Sequence, residues 1–515
     1  MKRNIFTLFI TLLTIGSVSA QTRYLDEVFT DVTISTEVKY AENYSFLSGS
    51  PALADLKMDV YEPADDTVGG AFYDNARPLI IFMHPGSFLP KGLNTLPFGN
   101  NRDSSVVEMC TQFAKRGFVA AAISYRIGWN PFGASDVERA KSIINAIYRA
   151  NQDAHAAIRF FRKDADTDNT YNIDPYRVVV GGTNSGGYVA LAVNSLNRTS
   201  ELNLLKFLDG NGNSFIDQTV TGGFYGEGGI AGFNVLNHPG YSSAPAVVLN
   251  MGGAVGDTTW INDDEAPIVS FHGEADPLTP YRTAVVIVSS TQQSVVEVSG
   301  SFDISKTADG LGIQDDIKPA VPFTDAYTTV AEARSSYEGL FPFPGATNGY
   351  EPWSWYDPTD ANIDNNTAGA SGFGSRANPF ATKTKALLYI DTVMNYFIPR
   401  ALEAFANVDS LAVETADPAD TVVIIGIADV AAINAALTLY PNPAATELNL
   451  SLANVAYNMS DVKVYDITGR LVLTDNTITN PQYHRISLSN LESGSYIVTI
   501  SFETGEQVSK RLLVR

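Results

Sequence analysis

The feature that most constrains the fold is an alternation of apolar strands and helical segments between residues 56 and 271. Continuous apolar runs, typical of strands buried on both faces, occur at Arg77–His84, Gly117–Tyr125, Val178–Val180, Ala246–Met251 and Pro267–Phe271. Apolar residues at helical spacing occupy residues 106–116 and Asp136–Arg162. Strands that alternate with helices indicate an α/β fold whose mostly parallel sheet is covered on both faces.

The two ends of the chain differ from this central region in composition and in hydrophobic pattern. Lys2 and Arg3 precede the apolar run Ile5–Ile15, and small residues end at Ala20, which predicts a signal peptide over residues 1–20. The main domain is then expected over residues 21–407, followed by a linker of Ala, Val and Asp over 408–436. Residues 437–515 consist of short strands of period two separated by turns, which predicts a small all-β sandwich.

Composition excludes some classes of function. The formal net charge is −22, so a nucleic-acid partner is not expected. The only cysteine, Cys110, cannot form an intramolecular disulfide. No segment after the N-terminal run is long and apolar enough to span a bilayer, so we expect a chain that is secreted or attached to the outer surface of a cell.

Several motifs in the main domain resemble the α/β-hydrolase superfamily in its carboxylesterase-like branch. Leu56–Pro63 is similar to the "LDVYxP" strand of the family, and His84-Pro85-Gly86-Ser87-Phe88 stands where the family has His-Gly-Gly-Gly-Phe. Asp174–Gly182 resembles the strand that carries the nucleophile, and His272–Pro277 resembles the segment that carries the acid. The resemblance implies an α/β-hydrolase fold, and it implies Asp276 as the acid.

The expected nucleophile turn departs from the family pattern. Esterases of this fold place serine at the centre of G-x-S-x-G, on a sharp turn from strand to helix. Here the turn reads Gly182-Thr183-Asn184-Ser185-Gly186-Gly187. If Gly182 and Gly186 are the motif glycines, the nucleophile position holds Asn184. The alternative register makes Ser185 the nucleophile.

The other parts of the expected site are also altered. Pro85 has no N–H group, so Gly86 and Ser87 remain as oxyanion donors, together with the N–H of Ser185. After Asp276 the domain contains no histidine, and His155, on the long helix, is expected to be exposed. If the domain has a general base, it must stand elsewhere, and the candidates are His238, Tyr350 and Glu351.

No cofactor is required for ester hydrolysis by this fold, but one segment suggests a structural calcium ion. Asp164, Asp166 and Asp168 alternate in the sequence, and such spacing can direct carboxylates to one hard cation. A solvated polar turn is the alternative interpretation.

The C-terminal segment resembles the sorting domain of the type IX secretion system of Bacteroidetes. The matching residues are Tyr440–Pro443, Val464–Asp466, Gly469-Arg470, Gly494–Tyr496 and Lys510–Leu512. The resemblance implies the type IX secretion machinery as a partner.

Two functional hypotheses follow. The first is a secreted or cell-surface protein of hydrolase fold with a degenerate triad, which binds a small molecule or glycan ester without cleaving it. The second is an active esterase on acyl esters that uses Ser185 and a relocated base. A hydroxyl without a base is a poor nucleophile at neutral pH, which favours the first.

Overall fold

The computed structural model describes residues 21–67, 70–90, 93–94, 98–230, 232–288, 291–345, 351–355, 382–410, 436–453, 458–466, 471–502 and 507–515. The chain divides into two compact units, Met1–Asp417 and Pro418–Arg515. The predicted signal peptide and most of the predicted linker lie outside the described residues. The predicted domain limits at 21–407, 408–436 and 437–515 stay predictions.

An eight-stranded sheet forms the centre of the first unit. Its strands are β1 (Val32–Ser45), β2 (Ala52–Pro63), β3 (Arg77–Met83), β4 (Val119–Ile123), β5 (Ile173–Thr183), β6 (Val247–Met251), β8 (Ile268–Gly273) and β11 (Leu340–Phe343), in the spatial order β1-β2-β4-β3-β5-β6-β8-β11. The pairs β1–β2 and β2–β4 are antiparallel, and the remaining pairs are parallel. The predicted α/β class with a mostly parallel sheet is confirmed.

Helices cover both faces of this sheet. The helices are α1 (Ser104–Lys115), α2 (Asp136–Asp166), α3 (Ser185–Ser195), α4 (Thr199–Leu202), α5 (Gln218–Thr221), α6 (Ser301–Leu311), α7 (Ala326–Glu332) and α8 (Lys383–Ser410). Apolar residues of α2 and α3 share one buried cluster with the sheet, while α1 and α8 contribute to the cluster on the other face. The Ser135 hydroxyl accepts from the N–H of Glu138 and caps the first turn of α2.

A second, smaller sheet was not anticipated from the sequence. It contains β7 (Ala254–Val255), β9 (Ala284–Ile287) and β10 (Ser294–Gly300) in the order β7-β10-β9, all antiparallel. Because β7 directly follows β6, this sheet begins at the carboxyl ends of the central strands.

The second unit is all β. Its strands are β12 (Leu437–Tyr440), β13 (Glu447–Leu452), β14 (Met459–Asp466), β15 (Leu471–Asp475), β16 (Tyr483–Ser487), β17 (Gly494–Phe502) and β18 (Gln507–Val514). They form two antiparallel sheets, ordered β12-β13-β16 and β15-β14-β17-β18. Both sheets contribute to one apolar core that includes Leu448, Val462 and Ile500, as a two-layered β-domain requires.

None of the helices in the described ranges combines the length and apolarity needed to cross a membrane.

Candidate active site

Asn184 lies at the apex of a sharp turn between β5 and α3. Its φ and ψ angles are 50° and −114°, a left-handed conformation that asparagine adopts more readily than most residues. Its N–H donates to the carbonyl oxygen of Met251 at 2.8 Å, which holds the turn against the end of β6. The turn therefore has the strand-to-helix form expected of a nucleophile elbow.

The glycines around the turn show which residue occupies its apex. A Cβ atom on Gly186 would lie 2.2 Å from the carbonyl oxygen of Met83, and one on Gly182 would lie 2.4 Å from Gly186. Neither position has room for a side chain. These two glycines are separated by four positions, and Asn184 stands midway between them. A Cβ atom on Gly187 would also be crowded, 2.9 Å from Asn250 Oδ1, but the positive φ angle of 50° marks Asn184 as the apex.

Ser185 occupies the first position of α3 and is 1% exposed. Its Oγ lies 3.2 Å from the hydroxyl of Tyr125, which donates to the carbonyl oxygen of His84 at 2.7 Å. The His84 ring stacks on the Tyr125 ring, and its Nδ1 lies 2.6 Å from the carbonyl oxygen of Pro85. Within the described ranges, no imidazole nitrogen lies within hydrogen-bond distance of Ser185 Oγ.

The predicted oxyanion loop has an unusual backbone. Gly86, Ser87 and Phe88 have φ angles of 124°, 55° and 55°. The carbonyl oxygen of Ser87 accepts from Nε1 of Trp129 at 2.8 Å, and that of Phe88 accepts from the N–H of Gly128 at 2.7 Å. In the part of the chain that the structure describes, the N–H groups of Ser87 and Ser185 have no hydrogen-bond acceptor. Both residues line the same cavity, so these donors are available to a ligand.

Asp276, the predicted acid, follows β8 and is fully buried. Its Oδ1 accepts from the N–H groups of Leu278 and Thr279 at 2.7 and 3.0 Å. Burial raises the pKa of Asp276 to about 7, against the opposing effect of these hydrogen bonds. The nearest described imidazole, Nε2 of His272, lies 3.8 Å from Asp276 Oδ2.

His272 is held by other partners. Its Nδ1 lies 2.7 Å from Ser301 Oγ, and its Nε2 lies 3.1 Å from the carbonyl oxygen of Thr279. Burial lowers the pKa of His272 to about 4, so its ring is neutral at pH 7. His272 therefore supports the Asp276 turn as a packed residue.

Glu351 contacts the end of the elbow strand β5 and is 2% exposed, with a φ angle of 40°. Its Oε1 accepts from the Thr183 hydroxyl at 3.1 Å, and its Oε2 accepts from Ser354 at 3.2 Å. Burial, together with the negative charge of Asp276, raises the pKa of Glu351 to about 8 against those hydrogen bonds. This raised pKa favours the protonated carboxyl group at pH 7.

The other candidate bases lie elsewhere or are not described. Nε2 of His238 lies 2.5 Å from the carbonyl oxygen of Tyr40, and its ring contacts Phe160, so the structure does not group His238 with Asn184, Ser185 or Asp276. Tyr350 lies outside the described residues.

The expectation that His155 is exposed was wrong. Its side chain is 1% exposed, and its ring lies edge-on against Tyr225. The helix α2 is buried along much of its circumference, which its mixed polar sequence did not reveal.

The candidate calcium segment is partly helical. Because α2 continues to Asp166, residues Asp164 and Asp166 are two positions apart on a helix and point in different directions. Asp164 accepts from the N–H of Tyr171, whereas Asp166 accepts from the Tyr241 hydroxyl. The described residues contain no group of three or more His, Cys, Asp or Glu side chains placed to bind a metal. Calcium binding by Asp164, Asp166 and Asp168 stays a prediction.

A cavity of about 110 Å³ opens at the elbow. Its polar lining includes Ser87, Asn184, Ser185 and Thr279. Most of the remaining wall is apolar and comes from the oxyanion loop, α2, α3 and the small sheet; it includes Phe88, Trp129, Ile144, Val255, Leu278 and Val298. The small sheet that sequence reasoning missed therefore forms one wall of the site.

Family models match two parts of the sequence. The model described as BD-FAE matches residues 58–290. The chain carries a BD-FAE domain, which is an esterase-like α/β-hydrolase. The model described as a secretion system C-terminal sorting domain matches residues 438–515. This tail indicates secretion or attachment to the cell surface by the type IX system. The BD-FAE match ends before Glu351, so the residues in the base region lie beyond it.

Solved structures similar to this chain include esterases, at low identity. The native Est2 esterase of the Planctomycetes species Thermogutta terrifontis is 17% identical, covers 69% of this chain and 95% of its own length, and has a TM-score of 0.31. The same esterase phosphorylated by paraoxon is 18% identical, covers 70% and 100%, and has a TM-score of 0.32. A truncated carbohydrate esterase from gut microbiota is 19% identical, covers 56% and 87%, and has a TM-score of 0.30.

No protein with a curated description matches the sequence significantly. At these identities and TM-scores, the structural likenesses carry no conclusion about the activity of the BD-FAE domain.

Proposed function

We propose that the BD-FAE domain of this chain binds a small ligand at its elbow and does not hydrolyse esters through a serine–histidine–acid triad. The observation that carries the proposal is Asn184 at the apex, between the two glycines that the packing requires. An asparagine amide cannot accept an acyl group as the serine hydroxyl does.

The acid–base groups around the elbow support the same proposal. Glu351 is a predicted base and Asp276 the predicted acid. The pKa of Glu351, about 8, favours its protonated form near neutral pH, while the pKa of Asp276, about 7, leaves that group partly ionised. A protonated carboxyl group cannot remove a proton from a hydroxyl. The Glu351 carboxyl is also engaged by Thr183 and Ser354.

Ser185 is a poor substitute nucleophile. Its hydroxyl is buried, and its described side-chain partner is the phenol of Tyr125, whose pKa burial raises further above its ordinary value. A phenol with a raised pKa is no base at neutral pH.

The export of the chain is part of the proposal. We infer that residues 1–20 are a signal peptide and that the tail over 437–515 directs passage through the type IX machinery. Deletion of residues 437–515 should leave the protein inside the outer membrane of its host, which cell fractionation measures. Unchanged release of the shortened chain would contradict this part.

Turnover of a short-chain chromogenic ester tests the main proposal. The mature chain should show no turnover above that of a chain unfolded by heat, and Ser185→Ala should change nothing. Turnover that Ser185→Ala abolishes would overturn the proposal in favour of an esterase that uses Ser185. Asn203→Asp, an exposed substitution far along the chain from the elbow, serves as the matched control.

A further inference from the structure

The polar end of the elbow cavity offers both hydrogen-bond donors and an acceptor. The donors are the N–H groups of Ser87 and Ser185, which have no acceptor within the described residues. The acceptor is the side-chain oxygen of Asn184, a residue that is 95% buried since its exposed fraction is 5%. Two donors and one acceptor on residues that line the same small cavity define the chemistry of a ligand head group.

The orientation of the Asn184 amide follows from its neighbour. Its Nδ2 donates to Thr279 Oγ1 at 3.3 Å. A threonine hydroxyl oxygen accepts hydrogen bonds through its lone pairs, so it can hold Nδ2 in this orientation.

The other amide atom of Asn184, Oδ1, has no hydrogen-bond donor in the described part of the chain. Asn184 lines the cavity, and Oδ1 is not among the polar atoms that are completely enclosed without a partner. Oδ1 therefore keeps contact with the cavity, and a ligand that donates to it gains one hydrogen bond, worth about 0.5–1.5 kcal/mol.

The charge of the surroundings argues against an anionic head group. Thr279 contacts Asn184 through its hydroxyl and Asp276 through its N–H, so an acid stands directly behind the polar end of the cavity. A free carboxylate would enter an apolar space next to Asp276 and would lose its hydration. A neutral head group avoids both costs.

The cavity also limits the size of the ligand. Its volume is about 110 Å³, and its wall is mostly apolar. An apolar protein cavity of about 150 Å³ accommodates benzene. The space at the elbow is smaller than that cavity but is not enclosed, so it suits at most one six-membered ring or a short alkyl chain.

We propose that the elbow cavity binds a small primary carboxamide, with its carbonyl oxygen on the N–H groups of Ser87 and Ser185 and its NH₂ group on Asn184 Oδ1. This inference rests on the proposed function, because a carboxamide held in this way is a ligand and is not cleaved. The apolar body of the ligand lies among Phe88, Ile144 and Val298. An ester of the same size satisfies the two N–H donors but has no proton for Asn184.

Binding of three ligands that share one ring tests the proposal. Benzamide, methyl benzoate and benzoate are titrated into the mature full-length chain by calorimetry. We expect benzamide to bind about five- to tenfold more tightly than either of the others, since it adds one hydrogen bond. Equal or tighter binding of methyl benzoate or benzoate, or no binding of benzamide, would overturn the proposal.

Two substitutions of Asn184 sharpen the test. Asn184→Asp keeps an acceptor and should retain benzamide binding within about threefold, while Asn184→Leu should reduce it to the level of methyl benzoate. Methyl benzoate should bind both the original chain and Asn184→Leu equally. Loss of benzamide binding in both variants alike would contradict the acceptor role. The comparison of the three ligands on the unsubstituted chain does not depend on how the variants fold.

The location of the binding site and the absence of ester hydrolysis are checked by separate measurements. Ala192→Leu, which adds volume to a residue lining the cavity, should weaken all ligands that bind there at least tenfold. Release of benzoate from methyl benzoate in the same samples would overturn the proposed function. If no methyl benzoate is hydrolysed, the order of affinities of the three ligands tests the carboxamide proposal by itself. Failure of that proposal is therefore distinguishable from failure of the proposed function.

Discussion

The two sides of the elbow are built from different groups, which are backbone N–H groups on one side and carboxyl side chains on the other. On one side, the donors of Ser87 and Ser185 belong to the backbone, and the fold itself positions them. On the other side, where side chains must supply acid–base chemistry, Asp276 faces Glu351. On the proposed function, the backbone donors of an esterase site are present, whereas Asn184 and Glu351 stand in place of the serine and the histidine.

This difference teaches which interactions the fold enforces. Gly182 and Gly186 cannot carry a Cβ atom, because the backbones of the oxyanion loop and the elbow are in contact there. No such contact dictates that position 184 must hold serine or that position 351 must hold histidine. A chain can thus keep the shape of a hydrolase site while its chemistry changes.

The largest expected effect is a gain of ester hydrolysis, obtained by giving the side-chain part of the elbow the residues of an esterase. The double substitution Asn184→Ser with Glu351→His supplies a hydroxyl at the apex and an imidazole beside Asp276. Histidine also tolerates the positive φ angle at position 351. We expect ester turnover about 10²–10⁴ times that of either single variant, which is the contribution of a general base.

Chromogenic ester assays measure this gain, with Asn184→Ser plus Glu351→Gln as the matched control. A folded double variant that is no more active than Asn184→Ser would mean that position 351 cannot present a base to the apex.

The second effect tests the backbone side. Gly186→Ala should destabilise the domain by about 3 kcal/mol or more, because its methyl group would lie 2.2 Å from the Met83 carbonyl oxygen. Urea unfolding measures the loss. Gly210→Ala is the control, since a Cβ atom there meets nothing within 4 Å. Equal stability of the two variants would show that the close approach of the elbow and the oxyanion loop is not required.

Much of the central sheet could be predicted from the sequence because its strands are buried on both faces. The runs at Arg77–His84 and Gly117–Tyr125 coincide with β3 and β4, and Asp136–Arg162 forms most of α2. The strands β1 and β11 and the small sheet were missed. Most residues of β1 and β9 are at least partly exposed, so these strands lack the continuous apolar pattern that identified the others, and β11 is a buried run of only four residues.

The candidate site was predictable where chain geometry decides it. The spacing of Gly182 and Gly186 pointed to Asn184 at the apex, and the packing of these glycines agrees. The contact of Glu351 with Thr183 joins residues 168 positions apart, which only the folded chain reveals. The helical end of α2 separated Asp164 from Asp166, whereas the spacing of the acids had suggested a common direction.

The third effect concerns the carboxyl group of Glu351 and is measured as the pH dependence of stability. Glu351 has a pKa of about 8 in the folded chain against an ordinary value of 4.5, so the folded state binds its proton more tightly. The stability that this group contributes is complete below about pH 4.5 and is lost as the pH rises through 8. Glu351→Gln should therefore be more stable than the original chain at pH 9, by several kcal/mol, and nearly equal to it at pH 4.

Thermal unfolding across this pH range measures the difference, with the exposed Glu332→Gln on α7 as the control. A pH-independent difference for Glu351→Gln would mean that folding does not change the pKa of this carboxyl group, and the two sides of the elbow would then not differ in acid–base chemistry.

The smallest expected effect separates a structural role of Tyr125 from a role in chemistry. Its hydroxyl bridges the His84 carbonyl oxygen and Ser185 Oγ, so it connects the loop to the elbow. Tyr125→Phe should cost about 1 kcal/mol in urea unfolding, because the buried His84 carbonyl oxygen loses its donor. In the double variant Asn184→Ser with Glu351→His, the same change should leave ester turnover within about threefold, since Tyr125 contacts Ser185 and not the apex. A much larger loss of turnover would place Tyr125 in the reaction and would make the backbone side of the elbow depend on a side chain after all.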